Sequence, residues 1–230
     1  MAISKTSICN VALTHLGELK IDSVEDDNQR ARLCKLRFDD VLNIVLKSHP
    51  WTCVIKRSTL TKLTTDSGEN KPDWGFNNMF QLPSDFLRIL QVQDHTQPYR
   101  IETDSRTDKK IGNGLVLLSN SSTAKIRYIC RPSDIPILSY DVANLVGIRL
   151  ASELVEPLTS NVSLKQSLTQ RYLIELAAAR SIDSMQGTPE VIDNYSWLNA
   201  RSDQNQAAVV FDIPVTDTSG LNPSPNWNIP

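Results

Sequence analysis

The chain has 230 residues, of which 40% are hydrophobic and 22% charged, and its formal net charge is -2. This composition is that of an ordinary globular protein with one sizeable core or two small ones. The slight negative charge argues against a protein that binds nucleic acid over its whole surface. No apolar run approaches the roughly 20 residues of a membrane span, and the N-terminus lacks the apolar segment of a secretory signal.

The four cysteines, Cys9, Cys34, Cys53 and Cys130, are far apart and fit neither a zinc spacing nor a redox motif. Cys34 lies on the apolar face of a predicted helix, and Cys53 and Cys130 lie in strand-like runs. We therefore predict four buried, reduced thiols in a protein made in a cytoplasm.

Two helices are predicted at the N-terminal end. The first covers residues 4–16 and ends at Gly17, and the second follows Asp26 and Asp27, whose carboxylates favour a helix start, and stops at Pro50. The apolar face of the second helix consists of residues three and four apart, namely Ala31, Cys34, Phe38, Val41 and Val45, widened by Leu42 and Leu46. A face of this width is typical of a helix that packs against other helices.

From Trp51 the period changes to an alternation that predicts a strand as far as Thr65. Residues 64–78 form a long polar loop that carries Trp74 and Phe76, and loops of this length are usually functional or disordered. The two aromatic residues indicate a contact surface, and the alternative is that they pack back onto their own domain.

Further strands are predicted over residues 80–93, interrupted by a turn at Pro83-Ser84-Asp85, and over residues 99–102. Residues 115–118 and 124–130 are predicted to form a hairpin, joined by the polar stretch 119–123. Residues 51–131 are therefore predicted to be a small β region.

Two more helices are predicted after Pro136. The first has Ser139 as its N-cap, is apolar on nearly all sides and ends at Pro157. The second runs from about Val162 to Met185, and its apolar residues in register are Leu164, Leu168, Tyr172, Leu176, Ala179 and Ile182.

These elements predict an α+β fold. Residues 1–50 and 132–186 would form an antiparallel bundle of about four helices, and residues 51–131 would form an inserted small β-sheet or β-barrel domain. Residues 187–230 are rich in proline and polar residues and read as an extended C-terminal arm. We expect another subunit or a partner protein to hold the arm, and its anchors would be Phe211, Ile213, Trp227 and Ile229.

The charge is unevenly distributed. Residues 100–131 hold seven basic and three acidic side chains, a net charge of +4, whereas residues 187–230 hold one basic and five acidic side chains, a net charge of -4. Opposite signs on one chain permit head-to-tail association of identical copies. The alternative is that both stretches are solvated surface.

The sequence lacks the patterns of common active sites. It has no phosphate-binding glycine-rich loop and no nucleophile elbow, and His15, His49 and His95 have no partner at metal-ligand spacing. Glu153 and Glu156, on a largely apolar helix, are the only carboxylates for which a raised pKa is plausible, and the alternative is that they pair with Arg or Lys or face solvent. We therefore predict no enzyme, with no catalytic residue, cofactor or metal.

Several short stretches, in a particular order, resemble a known family. They are Asn10-Val11-Ala12-Leu13 through Leu16-Gly17-Glu18, Ile21-Asp22-Ser23, His49-Pro50-Trp51 followed by Lys56-Arg57 and Leu60, Gln81 to Leu90, and the closing helices after Arg131-Pro132. Their order and spacing over residues 4 to about 186 resemble the head–tail adaptor proteins of tailed bacteriophages. These are called tail tubular protein A in short-tailed phages, and they have relatives among head-completion proteins and gene transfer agent adaptors.

The resemblance implies a structural virion protein, assembled in the host cytoplasm, that forms a ring of usually twelve copies in the neck or tail. Its partners would be its own copies, the portal protein, a tail nozzle or tail protein and tail fibres. Double-stranded DNA would pass through its channel, and no membrane would be involved.

Two alternatives stay open. One is a peptidoglycan hydrolase with Glu153 or Glu156 as general acid, and the other is a DNA-binding module that uses the basic residues of 100–131.

Overall fold

The computed structural model describes residues 3–64, 70–72, 74–94, 96–104 and 114–187, all of which belong to one compact unit. Within these ranges the protein has four α-helices and two antiparallel β-sheets, so its fold is α+β. The helices are α1 (Lys5–Leu16), α2 (Gln29–Ser48), α3 (Tyr140–Thr159) and α4 (Val162–Ser184). No helix in the described part of the chain is both long enough and apolar enough to cross a membrane.

The first predicted helix is confirmed as α1. The Ser4 hydroxyl accepts a hydrogen bond from the Ser7 backbone N–H, and the Ser7 hydroxyl accepts one from the Ser4 N–H, so two otherwise unpaired donors at the helix start are satisfied. The helix ends at Gly17, whose φ of 73° is a left-handed conformation that glycine adopts without strain.

The start of α2 differs from the prediction. Asn28, not Asp26 or Asp27, is the N-cap, because the Asn28 side chain accepts a hydrogen bond from the Ala31 N–H at 2.8 Å. The Asp26 carboxylate instead accepts from the backbone N–H groups of Asp22 and Ser23 and so closes the preceding turn. The predicted apolar face of α2 is confirmed, since its seven members are all buried: Ala31, Cys34, Phe38, Val41, Leu42, Val45 and Leu46.

The predicted strand from Trp51 is wrong at its beginning. Residues Thr52–Val54 form a turn of 3₁₀-helix, and the strand starts only at Ile55. The cause is Trp51, which is buried and donates from its indole Nε1 to the Val45 carbonyl oxygen in α2 at 3.0 Å. This bond holds the chain against the end of α2 for a few residues before it becomes extended.

The described strands form two sheets. Sheet A has the order β1-β7-β4, with β1 at Ile55–Thr59, β7 at Lys125–Cys130 and β4 at Phe86–Val92. Sheet B has the order β2-β3-β6-β5, with β2 at Thr61–Lys62, β3 at Asn78–Gln81, β6 at Leu115–Ser119 and β5 at Tyr99–Thr103. The predicted hairpin of residues 115–130 is wrong, because β6 pairs with β3 and β5 whereas β7 pairs with β1 and β4.

The helices and both sheets share one cluster of buried side chains. It includes Leu13 of α1, Phe38 of α2, Leu150 of α3, Phe80 of sheet B and Ile129 of sheet A. Helix α3 packs against α1, α2 and α4. The division into helical residues (1–50 and 132–186) and a β domain (51–131) stays a prediction.

Helix α3 does not end at the predicted residue. Pro157 lies inside it, and the helix continues to Thr159 before Ser160 adopts a left-handed conformation with φ of 51°. Proline in the last turn removes one hydrogen bond, but it does not stop a turn that is closed by other donors. These donors are the Thr159 hydroxyl and the Ser160 N–H, both at 2.9 Å from the Val155 carbonyl oxygen.

The prediction that the cysteines are buried is confirmed for three of the four. All four thiols are free, and Cys9, Cys34 and Cys130 are buried, whereas Cys53 is only half-buried. The hydrogen bond to the Cys34 thiol, followed by burial, raises the pKa of the Cys9 thiol. Burial also raises the pKa values of Cys53 and Cys130. These three thiols therefore have little thiolate character at neutral pH.

Candidate interaction surfaces

The two predicted contact residues of the β region differ in their surroundings. Trp74 is 84% exposed, whereas Phe76 is half-buried and packs against a small apolar cluster of Met79, Val116 and Leu118 on sheet B. Gly75, which separates them, has a φ of 82°, a conformation that other residues rarely adopt. Phe76 thus packs back onto its own sheet, and Trp74 presents its side chain to solvent.

Trp74 forms one wall of a groove on sheet B. The groove has a volume of about 410 Å³, and its other lining residues include Pro72, Phe76, Pro98, Arg100 and Glu102. Apolar walls with one cationic and one anionic side chain are suited to an apolar side chain of a partner that is oriented by a polar contact. We call this surface the Trp74 groove.

Several residues singled out in the sequence lie outside the described residues. They are Phe211, Ile213, Trp227 and Ile229 of the C-terminal arm, together with His95, Arg106, Lys109 and Lys110. The roles of the arm residues as anchors and of the basic residues as DNA contacts stay predictions.

The sequence-based prediction missed a second group of apolar residues on α4, which the structure exposes. The face toward α3 is buried through Leu168, Tyr172, Leu176 and Ala179, and it is continued by Asp183 rather than by the predicted Ile182. Around the rest of the helix, and at its C-cap Met185, exposed apolar residues occur on successive turns, and together we call them the outer row: Leu173, Ile174, Ala177, Ala178, Ile182 and Met185. The exposed fractions of Leu173, Ile174, Ile182 and Met185 are 59%, 71%, 49% and 79%. The signal was present, because these residues also recur at helical spacing.

A polar junction fixes the C-terminal end of α4. Asp183 is buried, and its carboxylate accepts hydrogen bonds from the Thr52 N–H at 3.1 Å and from the Thr52 hydroxyl at 2.8 Å. The Arg180 guanidinium donates to the Ser48 carbonyl oxygen at 3.0 Å, which is one of the last carbonyls of α2. These bonds attach the end of α4 to the point where α2 passes into the β region.

His49 is part of the same junction. Its ring lies edge-on to Trp51, with centroids 4.7 Å apart, and its Nε2 is 3.5 Å from the Asp183 Oδ2. Burial lowers the pKa of His49 and nearby Arg180 lowers it further, although the Asp183 carboxylate opposes both effects. The imidazole is therefore neutral at neutral pH.

The structure divides the basic residues of 100–131 between different surfaces. Arg100 lies on β5 in sheet B, and Lys125 and Arg127 lie on β7 in sheet A. Arg131 forms a 2.9 Å ion pair with Asp39 of α2. Among the described residues, this segment therefore does not form one continuous basic patch.

Arg57 completes a polar groove that sequence reasoning missed. Together with Lys125 and Arg127 it lines a groove of about 360 Å³ on sheet A. Arg57 comes from a strand that is about seventy positions earlier in the chain, so only the pairing of β1 with β7 reveals this cluster.

The two carboxylates considered as general acids are both paired. Glu153 forms an ion pair with Arg149 at 2.9 Å, one turn away, and Glu156 forms one with Lys165 at 3.2 Å. This is the structural alternative that the sequence analysis left open. Within the ranges that the structure describes, no three His, Cys, Asp or Glu side chains are grouped so that they could hold a metal ion.

Comparison of the chain with models of known protein families found no match, and comparison with curated proteins found none either.

Proposed function

We propose that this protein is a structural virion protein, a head–tail adaptor whose copies form a ring between the portal and the tail nozzle. In the family that the sequence resembles, the ring usually has twelve copies and surrounds the channel through which the genome leaves. The protein would be assembled in the host cytoplasm and would remain in the neck or tail of the virion.

The observation that carries this proposal is the outer row of α4. Leu173 and Ile174 expose more than half of their surface on a helix whose opposite face is already buried in the core. Contiguous apolar residues that remain exposed on a folded protein commonly mark a surface for a partner. When the partner is an identical copy and the contact is head-to-tail, a rotation that closes generates a ring.

The arrangement of elements supports a finer description of the fold. Helix α3 packs against the other three helices, and all seven described strands lie between α2 and α3 in the chain. This order is what an antiparallel bundle with an inserted β domain requires. We propose that the helices form the body of the ring and that the β region is a small barrel-like domain attached to it.

The Trp74 groove supplies a second surface. We propose that it contacts the nozzle or the β region of a neighbouring copy, because an exposed tryptophan beside an apolar groove is a common anchor at interfaces. Alanine at Trp74 should leave the fold intact and weaken attachment of the tail. Normal attachment would count against this role.

The C-terminal arm is proposed to bind the portal, with Phe211, Ile213, Trp227 and Ile229 as anchors. Coupled folding and binding would let such a segment order on its partner. A chain truncated after Gly187 should fold and yet fail to join particles that carry the portal. Its normal incorporation would exclude this part of the proposal.

Electron microscopy of the full chain mixed with the portal protein of the same virus tests the proposed function. The proposal predicts an added ring on one face of the portal, with the same rotational symmetry as the portal. Portal rings without added density, with the chain in clear excess over portal subunits, would contradict it. A zymogram on cell wall tests the hydrolase alternative in the same preparation.

A further inference from the structure

The polar groove on sheet A has a regular construction. Arg57, Arg127 and Gln91 are partners across the three strands, so their side chains form one row on the same face of the sheet. Thr59 is the partner of Lys125, and the Gln93 N–H donates to the Lys125 carbonyl oxygen at 2.9 Å, which extends a second row beside the first. All six residues line the same groove, and we call them the donor grid.

All six side chains of the donor grid can donate hydrogen bonds. Its six side chains are three cations, two amides and one hydroxyl, and no carboxylate is among the residues that line the groove. Within the described parts of the chain, neither Arg57 nor Lys125 has an ion-pair partner. Such a surface attracts an anion with several oxygen atoms, because every side chain can donate a hydrogen bond to it.

We propose that the donor grid binds the phosphate backbone of nucleic acid independently of sequence. Residues two apart in a strand are about 7 Å apart, so the two rows offer repeated donors to a ligand with repeated charges. Arginine, lysine, glutamine and threonine are the side chains that commonly contact phosphates. The groove has no aromatic lining residue on which a base could stack. Its only aliphatic lining residue is the buried Ile126, which leaves little for the apolar anchors of an acidic peptide.

This inference goes beyond the proposed function, since it holds for a monomer as well as for a ring. Three cations can make few phosphate contacts, so binding should be weak, and the slope of log affinity against log salt concentration should be modest, about -3. In a ring around a channel, contacts of this strength would hold DNA without preventing its movement. If the protein is instead a DNA-binding module, the donor grid would be its DNA-binding site, in place of residues 100–131 as a whole.

Binding of a short labelled duplex of mixed sequence, followed by fluorescence anisotropy between about 50 and 200 mM salt, tests the proposal. The full chain should bind, and the logarithm of its affinity should fall linearly with the logarithm of the salt concentration. The variant R57Q/K125Q should bind about tenfold more weakly at low salt, and its salt slope should be shallower by about two, since about one counterion is released for each phosphate contact.

A matched control removes one arginine and one lysine elsewhere. Arg37 and Lys47 are both exposed on α2, so R37Q/K47Q changes the net charge equally and should bind like the wild type. The variant R57K/K125R keeps both charges and should retain the salt slope. Thermal unfolding checks that each variant is folded. If the double variant does not fold, the single variant K125Q, at an exposed position, replaces it in the experiment.

Three results would overturn the proposal. One is a wild-type chain that does not bind the duplex at low salt, and another is equal weakening by R57Q/K125Q and R37Q/K47Q. The third is polyglutamate that binds at the donor grid more tightly than DNA does, which would assign the groove to an acidic protein. Light scattering of R57Q/K125Q mixed with the portal protein separates this inference from the proposed function, because this variant should keep its association with the portal.

Discussion

Helices α3 and α4 are neighbours in the chain and pack against each other, and both are rich in apolar residues, yet their surroundings differ. Eleven residues of α3 are buried, and they lie on all sides of the helix that face α1, α2 and α4. In α4, five residues on one side are buried, whereas the outer row, spread around the rest of the helix, is exposed. Helix α3 therefore lies at the centre of the helical core, and α4 lies at its edge.

The difference indicates what the apolar residues of each helix do. An apolar helix that is covered on every side contributes to the stability of the monomer. Exposed apolar residues contribute almost nothing to that stability. When several of them are contiguous, they commonly mark a surface that binds a partner. Among the described residues, the α4 outer row is therefore the surface that we propose as a contact with a partner.

The largest expected effect separates the two helices directly. Leu150 of α3 is completely buried, so Leu150→Ala should lower the free energy of unfolding by about 2–5 kcal/mol through lost burial and a residual cavity. Ile174→Ala, on the outer row, should change it by less than about 0.5 kcal/mol. Denaturant unfolding of both variants measures the contrast, and equal losses would mean that the outer row is covered within the monomer.

A smaller loss is expected at the junction that fixes α4. Asp183→Ala removes the acceptor of the Thr52 hydrogen bonds and leaves their donors partly buried, which should cost about 1–3 kcal/mol. Asp40→Ala removes an exposed carboxylate of α2 and serves as the control. If both variants unfold at the same denaturant concentration, the junction does not hold the end of α4.

The pH dependence of stability is expected to be weaker still. Because the folded protein holds the pKa of His49 below its ordinary value, the unfolded chain takes up a proton first as the pH falls. The contribution of His49 to stability is therefore complete above about pH 6.5 and is lost as the pH falls through its folded-state pKa. His15, whose pKa is lowered by burial and by Arg171, acts in the same direction.

Unfolding of the wild type and of His49→Gln between about pH 7.5 and 5 measures this effect. The substitution should make the decline in stability with falling pH shallower. A steeper decline in His49→Gln would mean that the Asp183 carboxylate outweighs burial and raises the pKa of the imidazole.

The smallest effect on stability should accompany the largest effect on assembly. The double variant L173K/I174E keeps the net charge and uses good helix formers, so the free energy of unfolding should change by less than about 0.5 kcal/mol. Association with the portal should be lost. The control L19K/I137E makes the same changes at two other exposed apolar positions and should assemble normally. Assembly of L173K/I174E at wild-type levels would exclude the outer row as a contact.

The helices were largely predictable because their signals are local. The face of α2, the N-cap Ser139 and the extent of α4 follow from spacing within a few turns. The partners of the strands were not predictable, since two strands joined by a short polar turn normally pair, whereas β6 and β7 belong to different sheets. The same limit hid the donor grid, because Arg57, Gln91 and Lys125 meet only through long-range pairing.

Light scattering of the full chain, alone and mixed with the portal protein, is the decisive test of the proposed adaptor function. We expect a monomer near 25.7 kDa that joins a portal-bound ring when the portal is present. A chain that stays a monomer in the presence of the portal, at concentrations where its fold is intact, would contradict it.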